Sequence, residues 1–335
     1  MITATPRYED YLPVDVDRLR PNRSYDRMVE IRRERMEAFL APNGRVRSEL
    51  LEPRACPVCG ETRSAPEFEK EGFDFVRCAT CTVVYVSPSL KPEHVKEVYS
   101  HQSYSDLVKS LVEASTAYRL ERFGRERTDI INRFLPRGGR DQPRLLDVGC
   151  ATGFFLEAAR QDGWEVHGLE ANPYQADYAR HQGLDVHSEA IEDTTFPESH
   201  FDAVTMFEVI EHLHAPLDVL GKVHRLLRDN GMIFLYTPNY DCAERLIMGT
   251  EAHFLWGSNH LTYFNAKTLA DALTRAGFRV EHVETQGLDL EDMIWYFEHT
   301  GQFDMAFARA FRHQLQFLFN ASTWGKNLRM YARKA

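Results

Sequence analysis

The nine residues Leu145-Leu-Asp-Val-Gly-Cys-Ala-Thr-Gly153 constrain this chain more than any others. An apolar run ends in an acid, passes into a turn of small residues and continues as a helical segment, Thr152–Gln161. Small residues at 149, 151 and 153 allow a sharp turn and let a ligand approach the backbone closely. From Arg144 to about residue 285, short apolar strands alternate with amphipathic helices. That pattern belongs to a parallel sheet covered on both faces. Strands are expected at Arg144–Gly149, Glu165–Glu170, Leu184–Ser188, Phe201–Phe207, Gly231–Thr237, Arg279–Thr285 and Asn327–Arg333, giving an α/β class with a doubly wound sheet.

A nucleotide-binding sheet of this kind could serve a dehydrogenase, so the turn itself has to decide. The dinucleotide fingerprint G-x-G-x-x-G would place glycines at 151 and 154 after Gly149. Those positions hold Ala151 and Phe154. The pattern acid-x-Gly-x-Gly-x-Gly instead fits Asp147-Val-Gly149-Cys-Ala151-Thr-Gly153 with one Gly-to-Ala change. An acid there suits a sulfonium ligand with an amino-acid tail and would repel a pyrophosphate. The second strand ends at Glu170, placed to accept hydrogen bonds from two ribose hydroxyls.

Further segments follow in order: Gly168-Leu-Glu170-Ala-Asn-Pro173, Ala190-Ile-Glu-Asp193, Phe201-Asp-Ala-Val204, Phe207-Glu-Val-Ile-Glu-His212-Leu, Leu226-Leu-Arg-Asp-Asn-Gly231 and Tyr236-Thr-Pro-Asn239. With them, the chain resembles the class I S-adenosylmethionine-dependent methyltransferases over about residues 143–285. It is most similar to the branch holding quinone-biosynthesis enzymes and many bacterial glycan and natural-product enzymes. The resemblance implies a Rossmann-like seven-stranded sheet ending in an antiparallel hairpin. It also implies that Asp147, Gly149, Ala151 and Gly153 line the methionine part of the cofactor and that Glu170 binds its ribose. Ala190, Ile191 and Glu192 would then sit near the adenine, and Phe207 and Glu208 would close the pocket.

Ahead of this region, Cys56-Pro-Val-Cys59-Gly and Cys78-Ala-Thr-Cys81 form two C-x2-C pairs separated by 18 residues. This spacing suits a four-thiolate zinc site; four free cysteines or a redox pair are the alternatives. Four sulfurs leave no open coordination position, so such a Zn2+ is structural. It would supply stability that a core of this size cannot. Cys150 and Cys242 are read as non-ligands. The layout resembles that of methyltransferases acting on sugars or natural products. However, the Pro-Leu-Ala-Asn stretch usual in sugar C-methyltransferases is missing from Glu61–Arg77.

The chain thus divides into an arm (1–53), a zinc ribbon (54–90), a helical linker or cap (91–140) and a methyltransferase domain (141–335) with a helical insertion at 288–320. The arm could form a charged helix over Tyr25–Leu40 and pack on the body or on a second subunit. Helical segments are expected at Pro92–Tyr99 and Asp106–Phe134. The aromatic insertion reads as core, as a homodimer contact or as a lid. A net charge of −10 disfavours nucleic acid as the main partner. No apolar stretch reaches the roughly 18 residues that cross a bilayer, and no secretory leader is legible, so a cytoplasmic protein without disulfides is expected.

Methyl transfer to a hydroxyl needs alignment with the donor and a base for the proton. Candidates lie where loops leave the carboxyl ends of the strands. His212 and His260 are the candidate bases, with Tyr263 beside them; each could instead only pack or cap. His214 reads as a surface residue, and His253 and Trp256 as an acceptor wall or as packing. The expected activity is O-methylation of a small-molecule acceptor such as a sugar or polyketide. RNA methylation, sugar C- or N-methylation and a non-catalytic binding module are the alternatives.

Overall fold

The computed structural model describes residues 7–95, 102–135 and 142–335. The arm packs on the body of its own chain. Its helix α1, Ser24–Glu37, lies between the ribbon and the insertion. Trp295 Nε1 donates to Asp26 at 2.6 Å, Arg20 meets the buried Asp292 at 2.5 Å, and Arg32 pairs with Glu71.

The ribbon contains β1 (Ser64–Lys70), β2 (Phe73–Cys78) and β3 (Val84–Val86), paired antiparallel in that order. The last two lie close to the strand-like pieces that the sequence suggests at Phe73–Arg77 and Val83–Ser87. The pattern did not announce β1, because Ser-Ala-Pro-Glu-Phe-Glu-Lys alternates poorly and carries a proline. It is an edge strand, the position where proline and charges are tolerated, and its register shifts between Pro66 and Phe68.

The helical segment expected over Asp106–Phe134 is present but divided. Helices α2 (Gln102–Arg119) and α3 (Arg125–Phe134) flank a π-helical stretch, Leu120–Gly124. At this break the chain comes very near the next helix: a Cβ on Gly124 would stand 2.9 Å from that of Ala158. Of the segment expected at Pro92–Tyr99, residues 92–95 are helical and the rest lies outside the described residues.

The main sheet uses β4 (Arg144–Val148), β5 (Glu165–Leu169), β6 (Asp185–His187), β7 (Phe201–Phe207) and β8 (Leu227–Pro238). After the short β9 (Thr262–Tyr263), which belongs elsewhere, β10 (Phe278–Gln286) and β11 (Asn327–Lys334) complete it. The order is β10-β11-β8-β7-β4-β5-β6, and β11 runs antiparallel to both neighbours, so all seven expected strands join one Rossmann-like sheet. Helices α4 (Phe154–Gln161), α5 (Pro173–His181), α6 (Pro216–Leu226), α7 (Ala243–Met248) and α8 (Ala266–Arg275) follow the strands. One core places Leu146, Val204, Ile233 and Met330 against α6 and α8. The other places Leu145, Ala203, Phe234 and Tyr331 against α3 and α4. Successive strand residues thus alternate between two buried faces, which is why these strands read as continuous apolar runs.

The insertion contributes α9 (Asp289–Thr300) and α10 (Arg312–Ala321). Its apolar residues divide: Leu290, Met293, Ile294 and Phe297 pack on Met248, while Phe303, Phe307 and Phe311 face outward.

The ribbon is joined to the main domain by backbone pairing. Strand β9, from the long connection after β8, pairs with β3, matching Thr262 with Tyr85 and Tyr263 with Val84. The ribbon sheet therefore has four strands, β9-β3-β2-β1. Among the described residues no helix is long and apolar enough to cross a membrane.

Candidate active site

At the carboxyl end of β4, the N–H groups of Gly149 and Cys150 both donate to the carbonyl of Leu169, at 2.7 and 3.0 Å. Gly149, Ala151 and Gly153 all have positive φ, at 73°, 50° and 76°. A Cβ on Gly149 would stand 2.6 Å from Val209, and one on Gly153 would stand 2.4 Å from Leu184, so neither position admits a side chain. Ala151 is the exception to the glycine pattern. Left-handed backbone costs an ordinary residue about 1–2 kcal/mol. Its N–H donates to Glu170 Oε2 at 2.9 Å, which holds the residue in place.

Glu170 also accepts from the N–H of Asn172 at 2.7 Å. Burial raises its pKa, and these two donors lower it. Asp147 is buried and accepts from Thr205 Oγ1 at 2.6 Å. Burial pushes its carboxyl up to about 7, against the opposing effects of Thr205 and Arg127. At the end of β7, the Phe207 ring meets Tyr236 at 4.4 Å, and Glu208, at φ 60°, accepts from Asn327 at 2.6 Å. The structure thus gathers Asp147, Gly149, Ala151, Gly153 and Glu170 around one turn. Ile191 is turned into the core, while Ala190 and Glu192 beside it are exposed.

Arg127 of α3 was not anticipated. Its guanidinium carbon lies 4.3 Å from the Phe207 ring and 5.3 Å from that of Phe154, and its Nε has no hydrogen-bond partner among the described residues. Burial lowers its pKa, while Tyr236 and Asp147 raise it. A signal existed: Arg127 starts the face continued by Ile130, Ile131 and Phe134 at helical spacing, so it points inward with them.

The second half of the site follows β7 and β8. His212 Nδ1 is 2.9 Å from the carbonyl of Asn259, and His260 Nδ1 is 2.8 Å from that of Phe254. A carbonyl only accepts, so each Nδ1 carries the proton and each Nε2 the lone pair. The two rings are 4.7 Å apart. Glu211 accepts from Thr237 Oγ1 at 3.0 Å. Its Oε1 has no hydrogen-bond partner among the described residues and lies 3.9 Å from His212 Nε2. Burial lowers His212 to about 4 and lowers His260 too, so both are neutral at pH 7. Burial and the neighbouring Glu208 raise Glu211.

Tyr263 sits in the core shared with the ribbon, 5.2 Å from the Phe75 ring and 6.4 Å from that of His260. His214, expected on the surface, is half-buried, with Nε2 3.3 Å from the carbonyl of Leu90. Trp256 lies between His260, at 5.4 Å, and the Arg32 guanidinium, at 4.6 Å, while His253 packs on Tyr25 and Trp295.

In the ribbon, the four sulfurs of Cys56, Cys59, Cys78 and Cys81 lie within 4.8 Å of one another. The closest pairs are Cys56–Cys81 at 3.4 Å and Cys59–Cys78 at 3.5 Å. Cys78 Sγ accepts from the N–H groups of Thr80 and Cys81, both at 3.4 Å. Cys150 and Cys242 stand apart from this cluster.

Residues 118–283 match the family profile described as a methyltransferase domain. The chain carries a methyltransferase domain over about half of its length. The ubiquinone biosynthesis O-methyltransferase of Xylella fastidiosa is 28% identical over 170 residues, covering 47% of this chain and 68% of its own length. That of Pseudomonas aeruginosa is 34% identical over 110 residues, 31% of this chain and 47% of its own length. The chain thus spans about half the length of most such curated relatives it matches. Among solved structures, the 1,6-didemethyltoxoflavin-N1-methyltransferase of Burkholderia thailandensis aligns with 81% of this chain and 99% of its own, at 18% identity and a TM-score of 0.48.

The two buried histidines give the fold's stability a pH dependence. Folded His212 binds its proton only near pH 4, whereas an unfolded imidazole does so near ~6.5. The unfolded state therefore holds more protons between these values, and stability falls as pH drops through that window, by roughly 3 kcal/mol at most. His212→Asn is expected to flatten the fall of Tm between pH 6.5 and 4 relative to wild type. An equally steep fall in the variant would contradict the assignment.

Proposed function

We propose that this enzyme transfers a methyl group from S-adenosylmethionine to a hydroxyl of a small molecule such as a sugar, polyketide or quinol. The observation that supports this best is the pairing of two features at one sheet edge. An acid-bearing turn of positive-φ residues faces a ribose-type acceptor, Glu170, while two neutral imidazoles protonated at Nδ1 follow the next strands. Bound S-adenosylmethionine supplies the methyl group as an activated sulfonium substituent.

The chain's own residues then divide the work. Asp147 and Arg127 offer opposite charges for the ammonium and carboxylate of the amino-acid tail, and Glu170 offers two oxygens for the ribose hydroxyls. An imidazole Nε2 takes the acceptor's proton as the methyl group arrives. Of the two, His212 has the better support, because it is the less buried and its Nε2 lies 3.9 Å from the Glu211 carboxyl group. Trp256 and the arm's Arg32 exclude water from that side.

The four cysteines fit a Zn2+ of structural kind. Tetrahedral sulfurs on bonds of about 2.3 Å stand about 3.8 Å apart, and the observed spacings fall around that figure. Backbone N–H donors to Cys78 favour its thiolate form.

Two measurements test these readings. Calorimetric titration with S-adenosylhomocysteine, with NADH as control, is expected to show binding of the first alone and weaker binding in Arg127→Ala. His212→Ala should keep that binding and lose the mass gain of one methylene on hydroxylated acceptors incubated with S-adenosylmethionine, by about 100-fold or more in rate. Binding of NADH instead, or full transfer by His212→Ala, would refute the corresponding part. Metal analysis of the purified protein should find one zinc per chain, lost in Cys56→Ser with Cys81→Ser; a wild-type protein without zinc would refute the ribbon site.

A further inference from the structure

Arg54 lies two residues before the first ribbon cysteine, in a stretch with no recognisable motif. Its guanidinium is largely buried and forms no ion pair among the described residues, although the chain carries 50 acidic residues. It is spent on two backbone carbonyls, that of His214 at 2.9 Å and that of Leu261 at 3.4 Å. Those carbonyls belong to different loops: His214 is two residues past His212, after β7, and Leu261 directly follows His260, after β8. The backbone of Arg54 is itself fixed, because its N–H donates to Ser87 Oγ at 3.3 Å and its carbonyl accepts from the same hydroxyl at 3.2 Å.

The Leu261 peptide is the junction of this arrangement. Its N–H donates to the carbonyl of Glu211 at 2.8 Å, and its own carbonyl accepts from the N–H of Val86, in ribbon strand β3, at 3.0 Å. The β9–β3 pairing begins one residue later. Three partners therefore meet at one peptide: the ribbon sheet, the Glu211–His212 turn and the Arg54 fork. A planar guanidinium can hold two carbonyls at a fixed spacing, which neither a lysine nor a single backbone bond can do. The two histidines take their proton positions from carbonyls of the same loop, Phe254 and Asn259. A displacement of that loop relative to the β7 turn would change the His212 contact, which spans the two loops, and leave that of His260, whose partner Phe254 lies on its own loop.

We infer that Arg54 is the positioning residue of the acceptor side, its fork setting the relative placement of the loops that carry His212 and His260. The ribbon is then the fixed base from which the proton-accepting half of the site is aligned. Arg54 touches neither the cofactor turn nor the reacting groups. The inference deepens the functional reading and rests on it for the role of the two histidines; the geometry it tests stands apart from that reading.

The test compares wild type with Arg54→Met and Arg54→Lys in the full chain, by long-range 1H–15N spectra of the imidazoles and by titration with S-adenosylhomocysteine. Wild type is expected to show His212 and His260 each in a single Nδ1–H tautomer. Arg54→Met should keep cofactor binding while His212 shifts towards a mixture of tautomers and His260, bonded within its own loop, stays as in wild type; Arg54→Lys should reverse part of the His212 shift. His212 keeping one tautomer in a folded Arg54→Met would overturn the inference, as would mixed His212 tautomers in wild type. Should Arg54→Met lose its thermal transition, Arg54→Lys decides by the same readout: a shift supports the inference and none overturns it. Failure of wild type to bind S-adenosylhomocysteine would sink the functional reading alone, because the tautomer comparison does not depend on it.

Discussion

The carbonyl of Leu169 accepts from two successive N–H groups, those of Gly149 and Cys150, and the rest of the site is arranged around that contact. It clamps the end of β4 to the end of β5 and forces the chain through three positive-φ positions before α4 can begin. One residue on, Glu170 is held by Ala151 and Asn172, so the carboxylate and the turn fix each other. Val209 and Leu184 close on Gly149 and Gly153 from either side, so neither position has room for a side chain. A ligand that enters here meets preorganised groups and loses little to their rearrangement.

The outer parts of the molecule are held by buried charge. Lys326 meets Glu244 at 2.7 Å and Asp292 at 2.6 Å, and Arg20 of the arm reaches the same Asp292. On the other side, Arg329 and Arg122 both meet Glu126 of α3, at 2.8 and 2.6 Å. Such pairs add little net stability against a hydrophobic replacement, but removing one partner strands the other. They set where the arm and the helical cap sit, and so place Arg32 over Trp256 and Arg127 over Phe207.

How much of this could be read from the sequence depends on where each signal lies. The seven strands were legible because both faces of each are buried, which leaves short apolar runs. The tight turn at 147–153 was legible because its geometry admits almost no side chain. The clustering of Cys56, Cys59, Cys78 and Cys81 was legible by spacing alone. Strand β1 was not, since an exposed edge strand needs no apolar pattern. The pairing of Thr262 with Tyr85 joins residues far apart in the chain, and no local pattern announces such a contact. The division of the helix at 120–124 follows from how closely Gly124 approaches α4, which is a tertiary fact. The low pKa of His212 was hidden for the same reason: the residue type suggests a value near neutrality, and burial decides otherwise.

The central claim is that the turn at 147–153 and Glu170 form a cofactor cradle. A crystal structure of the protein grown with S-adenosylhomocysteine tests it most directly. The expected result is a nucleoside whose two ribose hydroxyls are bonded to Glu170, with the amino-acid tail lying along Gly149 to Gly153 between Asp147 and Arg127. A nucleoside bound elsewhere, or a cradle left empty at saturating ligand, would contradict it.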